Sequence, residues 1–470
     1  MSLNSLMNVA KDAMSSYQMA IDVTGGNVAN VNTPGYSRQK AVLNAVGSLK
    51  VRGEIAQIGV EVSAVERIYD DFLESQMVDQ AKLVGYNTAR KETLDRVETI
   101  FNETAEGGLS DLLGQFWGAW DTVSGNPGGQ VERNALLAAS ENLASAFNSK
   151  SNELVEIQRD ADKSISETTA LVNTTISEIA SLNQQISSLG MPNTGDANPL
   201  QDKRMVLLKD LGNMIDINYF ESGEGSYNIF LANGRSLVIG GNAWELAVMA
   251  DPAAADYYNY HVIYEGSTDP GENLNDVLSD GHNGKLGGLI DARDGINDYL
   301  DTLDELASSI ITEVNEQHRM GFDAYKNAGG DFFVPAGVDD IARNMALTVE
   351  IAGDTSKIAA AQTVSGDGDN ARLIGSMKDA LLMNGGKATL GDYYATLVGT
   401  VGRDSAGATR MAEYQSVIMD NLAGKREGVS GVSIDEEMMN LIKYQLGYNA
   451  AARLCTTANE MLDVLVNLGK

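Results

Sequence analysis

The sequence predicts a mainly α protein with a β-rich insertion: paired N- and C-terminal coiled-coil-like helices, a long-helix bundle domain, and a small outer β domain. Three observations predict it. Apolar residues recur in alternating steps of three and four at both ends of the chain and along several interior stretches, the period of a helix with one sticky face. Only seven prolines interrupt the 470 residues, so helices can run long between them. Between Ile215 and Glu265 the period switches to two, with turn residues separating the alternating runs.

At the N-terminal end, Leu3, Leu6, Ala10, Ala13, Tyr17 and Ala20 form one row, and Met7, Met14, Ile21 and Val28 an adjacent one spaced by sevens. This helix is expected to end near Gly25-Gly26 or soon after, with Asn32-Thr33-Pro34-Gly35 as a turn. At the other end, Ser433-Ile434-Asp435-Glu436 reads as a capping box, with Ser433 as the cap and Glu436 reaching back. Ile434, Met438, Leu441, Gln445, Tyr448, Ala452, Cys455, Asn459, Leu462 and Val466 then form one stripe. At 1.5 Å per residue that is a helix of roughly 50 Å. The two ends are natural partners for each other. Gln445 and Asn459 interrupt the stripe and leave two readings open: they face solvent at the edge of a drifting stripe, or they fix register between packed helices.

The interior continues in helices. Shorter apolar patterns cover Ile68 to Phe101, Leu109 to Val123 and Val131 to Phe147. A long stripe follows through Leu154, Ile157, Ala161, Ile165, Thr168, Val172, Thr175, Ile179, Leu182, Ile186 and Leu189, and another spans Leu286 to His318. The β segment holds Tyr227 to Leu231, an Asn233-Gly234 turn, Ser236 to Ile239, Trp244 to Val248 and Tyr260 to Tyr264. Thr363 to Asn370 is rich in Gly and Asp and reads as a flexible surface loop. These patterns divide the chain into a terminal helical domain (1–48 with 430–470), a helical bundle (49–200 with 283–429) and a β-rich outer domain (201–282).

Composition excludes several function classes. A net charge of −31 opposes nucleic-acid binding, which rests on neutralising phosphates with Lys and Arg, and disfavours an anionic membrane surface. A single cysteine, Cys455, allows no internal disulfide and no Cys-rich metal site, and is most simply a small core residue. The N-terminus lacks the charged, apolar and cleavage regions of a secretory signal, and no run of about 18 apolar residues could span a bilayer. By these rules the chain reads as cytoplasmic, although an uncleaved export route leaves no such mark.

Catalytic chemistry finds little footing, and no cofactor or metal is expected. Asp367-Gly368-Asp369-Asn370 has carboxylates at a spacing reminiscent of a calcium loop, without the closing Glu or the following helix of an EF-hand. His318 lies near a helix end with no second His or Cys close by, as a packed or capping histidine does. Gly385-Gly386-Lys387 lacks the spacing of a phosphate loop, and no Ser-His-Asp or Cys-His arrangement can be assembled from spacing.

The segment Asn27-Val28-Ala29-Asn30-Val31-Asn32-Thr33-Pro34-Gly35-Tyr36-Ser37-Arg38-Gln39 resembles the signature shared by the axial proteins of bacterial flagella. The C-terminal helix is similar to that family's closing helix through Asp435-Glu436-Glu437, Leu441 to Gln445, Tyr448 and Thr457 to Leu462. Interior motifs resemble the hook-associated protein 1 family in particular: Pro199 to Arg204, Asn233 to Val238, Gly284 to Leu289, Asn315 to His318, Gly321-Phe322-Asp323, Asp331-Phe332-Phe333 and Ser356 to Ala361. One departure is the short stretch after Phe333, where family members often carry further β-rich sequence. The resemblance implies a secreted, non-enzymatic structural subunit at the junction between hook and filament of the extracellular flagellum. It implies export by the flagellar type III system without cleavage. The implied partners are further copies of the chain, hook protein, a second junction protein (hook-associated protein 3) and a flagellar export chaperone that holds the C-terminal stripe. Ala29, Asn30, Asn32, Thr33, Pro34, Gly35 and Tyr36 would carry the axial-protein motif.

Overall fold

The computed structural model describes residues 3–51, 54–102, 107–189, 195–222, 225–250, 260–264, 273–363 and 367–468. The first helix, α1 (Leu3–Ala29), continues past Gly25-Gly26 because no neighbour crowds those glycines and the helix ladder is not interrupted until the turn before Pro34. A long hairpin follows, β1 (Gln39–Val51) paired antiparallel with β2 (Glu54–Arg67), in register from Gln39 opposite Arg67 with a bulge between Val42 and Leu43. This hairpin is absent from the sequence reading, whose division between residues 48 and 49 falls inside β1.

α2 (Asp71–Phe101) is started by Asp70, whose carboxylate accepts the N–H groups of Phe72 and Leu73. Then come α3 (Leu109–Gly125), α4 (Gln130–Ser188) and α5 (Asn198–Met214). α4 joins two of the expected stretches into one unbroken helix of 59 residues. Every member of its expected stripe from Leu154 to Ile186 is buried, while Leu189 is exposed just past its end. The expected boundary between residues 200 and 201 falls inside α5.

The outer module comprises β3 (Ile217–Glu221), β4 (Tyr227–Leu231), β5 (Ser236–Ile239) and β6 (Asn242–Ala243), a four-stranded antiparallel sheet in chain order. β7 (Leu246–Ala250) and β8 (Tyr260–Tyr264) pair separately. The Asn233-Gly234 turn between β4 and β5 stands as expected. Asn183, near the C-terminal end of α4, fastens the sheet: its amide donates to the carbonyls of Tyr227 and Gly240 and accepts the Tyr227 N–H. Arg204 of α5 completes the link, donating to Asn183 at 2.9 Å and lying 3.9 Å above the Tyr227 ring.

The chain returns through α6 (Asn275–Asp280), α7 (Gly284–Arg319), α8 (Val349–Gly353), α9 (Asp369–Gly375) and α10 (Leu390–Ser430), and ends in α11 (Ile434–Leu468). Two cores form. One gathers Phe116, Trp117, Trp120, Phe332 and Phe333 between α3, the first half of α4, the second half of α7 and the start of α10. The other lies under the sheet, between α5, the second half of α4 and the first half of α7. α4 and α7 border both. Where α7 crosses α2, a Cβ on Gly288 would sit 2.3 Å from the Tyr86 carbonyl oxygen, so only glycine fits that crossing.

Asn370 corrects another expectation. It is fully buried in α9, accepting from Gln317 and donating to the Ala359 carbonyl, so it is no part of a surface loop. Residues 364–366 of that expected loop lie outside the described residues.

Candidate functional site: the terminal arm and its polar joint

α1 and α11 pack antiparallel into an arm. The Asn27 amide meets Glu437 at 3.0 Å near one end. Midway, the Tyr17 ring lies so close to Gly447 that a Cβ there would be 2.7 Å from it. On α1, Ala10 and Ala20 are buried, and Leu3, Leu6, Ala13 and Tyr17 are half-buried in the same row. On α11, Leu441, Tyr448, Ala452, Cys455 and Leu462 are half-buried, whereas Ile434, Met438 and Val466 are exposed.

The covered face of α11 is therefore turned by about one residue from the expected stripe. Both readings share the sevenfold row Leu441, Tyr448, Cys455, Leu462, but its companion row is Glu437, Tyr444, Ala451 and Ala458. Small residues decide this. Gly447, Ala451 and Ala458 let α1 approach closely, while the larger Met438 remains outside. Gln445 and Asn459 consequently face solvent and do not fix register between α1 and α11. The outer side of α11 is left apolar, with Met439, Ile442, Leu446, Met461, Val464 and Leu465 all exposed. The hairpin supports α1 from the other side, and Ser16 Oγ donates to the Val60 carbonyl at 3.0 Å.

The turn expected to carry the axial-protein motif forms the joint between arm and bundle. Ala29, Asn32, Thr33 and Pro34 are exposed at the turn, Asn30 and Tyr36 are half-buried, and Gly35 adopts φ +78°. The hub is Asn27, 1% exposed. Its Oδ1 accepts from the Tyr36 hydroxyl at 2.8 Å and the Gln39 N–H at 2.9 Å; its Nδ2 donates to the Gln39 carbonyl and to Glu437. Arg38 bridges to Glu436 and Glu437 at 2.6 and 2.7 Å. Glu436, expected to turn back on Ser433, thus ties α11 to β1 instead.

Charges from the bundle close on the same turn. Arg426, near the end of α10, pairs with Glu74 of α2 at 2.9 Å and donates to the Gly35 and Tyr36 carbonyls. Glu74 also pairs with Lys209 of α5, and burial pulls the Lys209 ammonium down from its ordinary range against the pull of Glu74. Asp202 accepts the Ser37 N–H at 3.0 Å and pairs with Arg67 at 2.9 Å. Burial, reinforced by Asp202 and Glu437, pushes the Tyr36 hydroxyl up to about 12, so it stays a donor to Asn27. Such buried pairs hold geometry more than they add stability, since desolvation offsets most of their attraction.

Sequence reasoning missed Asn27 as a hub, took Asp202 only as part of the motif Pro199 to Arg204, and missed Arg426, Glu74 and Lys209 altogether. Their partners lie up to 391 positions away, and no local spacing signals them.

The remaining candidates have structural roles. His318 is fully buried, with Nδ1 2.7 Å from the Gly330 carbonyl and Nε2 accepting the Ala359 N–H at 2.8 Å. Burial lowers its pKa to about 4, so the neutral Nδ1–H ring is the resident form. Asp367 accepts the Thr363 hydroxyl and the N–H groups of Gln362, Thr363 and Asp369, hydrogen bonds, the hydroxyl's first, that hold it at about 2. A helix, α9, does follow it, contrary to expectation, and the carboxylate serves that helix's entry. Gly385 and Gly386 form a tight turn closed by Met383 and Ala388. Among the described residues no cluster of three metal-ligating side chains occurs, and no helix is long and apolar enough to cross a membrane.

A long antiparallel arm of both chain ends is thus joined to a helical bundle by this turn. Residues 7–36 match the flagella basal body rod protein family, and residues 428–468 the flagellar basal body rod FlgEFG protein C-terminal family. Residues 94–333 match the flagellar hook-associated protein FlgK helical domain. The chain is 31% identical to flagellar hook-associated protein 1 of Bacillus subtilis (strain 168), covering 98% of this chain and 97% of that protein. It is 26% identical to flagellar hook-associated protein 1 of Escherichia coli (strain K12), covering 99% and 100%. A flagellar hook junction protein FlgK from Burkholderia pseudomallei shares the fold, with a TM-score of 0.67 at 16% identity, over 76% of this chain and 100% of that one. The chain belongs to the flagellar hook-associated protein 1 family, and its role in the flagellum is structural.

Proposed function

We propose that this chain is a subunit of the junction between hook and filament, exported uncleaved by the flagellar type III system and without enzymatic activity. The observation that carries the reading is the outer face of α11, where Met439, Ile442, Leu446, Met461, Val464 and Leu465 stand exposed on a helix whose other side is already covered by α1. A face of that kind is a surface held for neighbours. Copies of the chain, hook protein and hook-associated protein 3 cover it after assembly, and an export chaperone covers it before, as a groove takes an amphipathic helix. α1, the hairpin and α11 act as one assembly unit, extending the terminal domain of residues 1–48 and 430–470 through Arg67. The bundle meets this unit at the joint, through Asp202 of α5 and Arg426 of α10.

Complementation tests this. In cells lacking their own hook-associated protein 1, the chain is expected to restore filaments; bare hooks with flagellin shed into the medium would overturn the reading. Leu446→Asp, at a position 66% exposed, should leave monomer stability within about 0.5 kcal/mol of the parent yet abolish filament growth.

A further inference from the structure

A charged layer lies between the two cores of the bundle and outer module. On α4 the aromatic core ends at Ile157 and the core under the sheet begins at Ile165; on α7 the core under the sheet ends at Ile290 and the aromatic core begins at Ile296. In the gap Arg293 of α7 donates to Asp162 of α4 at 2.8 Å, and the two residues are 3% and 2% exposed. Gln158, one helical turn before Asp162, donates to the Arg293 carbonyl at 3.2 Å and to Asn297 Oδ1 at 2.8 Å. Beside this buried pair, Asp291 of α7 accepts from Arg90 of α2 at 2.9 Å, and Arg96 of α2 pairs with Asp160 of α4. The layer therefore joins α2, α4 and α7 pairwise.

Both buried charges stand where their helices are otherwise free of charge. Arg293 belongs to the sevenfold row Leu286, Arg293, Leu300, Ala307 and Val314, and Asp162 to the row Val155, Asp162, Thr169 and Ile176. Apolar burial has no direction, so rows of this kind discriminate poorly between alignments one repeat apart. A charge pair matches in one alignment only. In that alignment lost hydration offsets most of the attraction; in any other, a guanidinium and a carboxylate are each left buried without the partner. Small net gain and a large penalty for misplacement make a selector of alignment.

We infer that Asp162 and Arg293 are positioning residues that select one alignment of α4 against α7. Asn183 ties α4 to the outer sheet and His318 ties α7 to the segment before α9, so this alignment also sets the outer module relative to the aromatic core.

Spin labels on the full chain test it. In a Cys455→Ser background, Lys163→Cys on α4 and Asp301→Cys on α7, both at exposed positions, report the alignment by double electron–electron resonance. With the Asp162–Arg293 pair intact, one narrow distance peak is expected. Asp162→Leu with Arg293→Met should keep the urea midpoint at or above that of the parent, yet spread the peak by about 5 Å or more, at least one helical turn. Asp162→Leu alone should lower the midpoint, because it leaves the guanidinium buried without its carboxylate. Asp162→Glu with Arg293→Lys, which keeps a charge pair, should retain the narrow peak. A narrow parental peak in the Leu and Met chain overturns the inference, and so does unfolding of that chain, since a selector of little net stability can be removed without losing the fold. A spread peak in the Glu and Lys chain would assign the alignment to side-chain packing and overturn it as well. Each of these results leaves the junction reading untouched.

Discussion

His318 shows how a residue that looks like a catalytic candidate becomes part of the scaffold. Its ring sits between Trp120 and Phe332, its two nitrogens join the loop after α7 to the segment before α9, and no solvent reaches it. Protonation would replace the acceptor at Nε2 by a donor facing the Ala359 N–H. The folded pKa of about 4 lies below the ordinary histidine value of 6.5, so the unfolded chain binds more protons between these values. Stability therefore falls as pH drops from about 6.5 towards 4, and this one group accounts for about 2–3 kcal/mol of loss at pH 4.5. Denaturant titrations at pH 7 and 4.5 check it: in His318→Gln, already weaker at pH 7, that increment of acid sensitivity should be gone.

Among the elements, helices were legible wherever burial was one-sided. The stripe of α4 reads from Leu154 to Ile186 because a single face is covered along its length, and the switch to period two announced the outer sheet. The β1–β2 hairpin was missed although Val60, Val62 and Ala64 alternate with Glu61 and Ser63. Its alanines and charged residues are weak strand formers, and it is held by α1 and Asp202 more than by a sheet core. The face of α11 was misplaced by one residue because apolar side chains line both sides of its central row. Only the contact with α1, made through Gly447 and the neighbouring alanines, chooses between them. Gly447→Val should wedge α1 from α11 at Tyr17, costing about 1–3 kcal/mol of arm stability while the bundle keeps its unfolding midpoint. Hydrogen exchange, resolved by segment, would show faster exchange in α1 and α11 alone.

For the whole molecule, the end motifs gave the class and the interior motifs gave the family, but the joint was legible only as a turn. Its charges come from α2, α5, α10 and α11 and meet only in the folded chain. The two aromatic and aliphatic cores lie entirely in the bundle and outer module, so the arm has little apolar surface committed within one chain. Heating should accordingly give two transitions. The 27 residues of α1 and the 35 of α11 should lose helix first, seen as an early circular dichroism phase without change in tryptophan fluorescence. All three tryptophans, Trp117, Trp120 and Trp244, lie outside the arm. Coincident transitions by both probes would contradict that separation.

The joint also sets how the subunit bears load. α4 runs about 90 Å along both cores, and α7 beside it ties the same two cores together, so bundle and outer module resist bending as one strut. Between that strut and the arm stand the pairs Arg67–Asp202 and Arg426–Glu74 and the bonds of Arg426 to the turn, contacts that fix direction more than they add stability. Load passing from arm to strut therefore crosses charged contacts and backbone hydrogen bonds rather than a continuous apolar core.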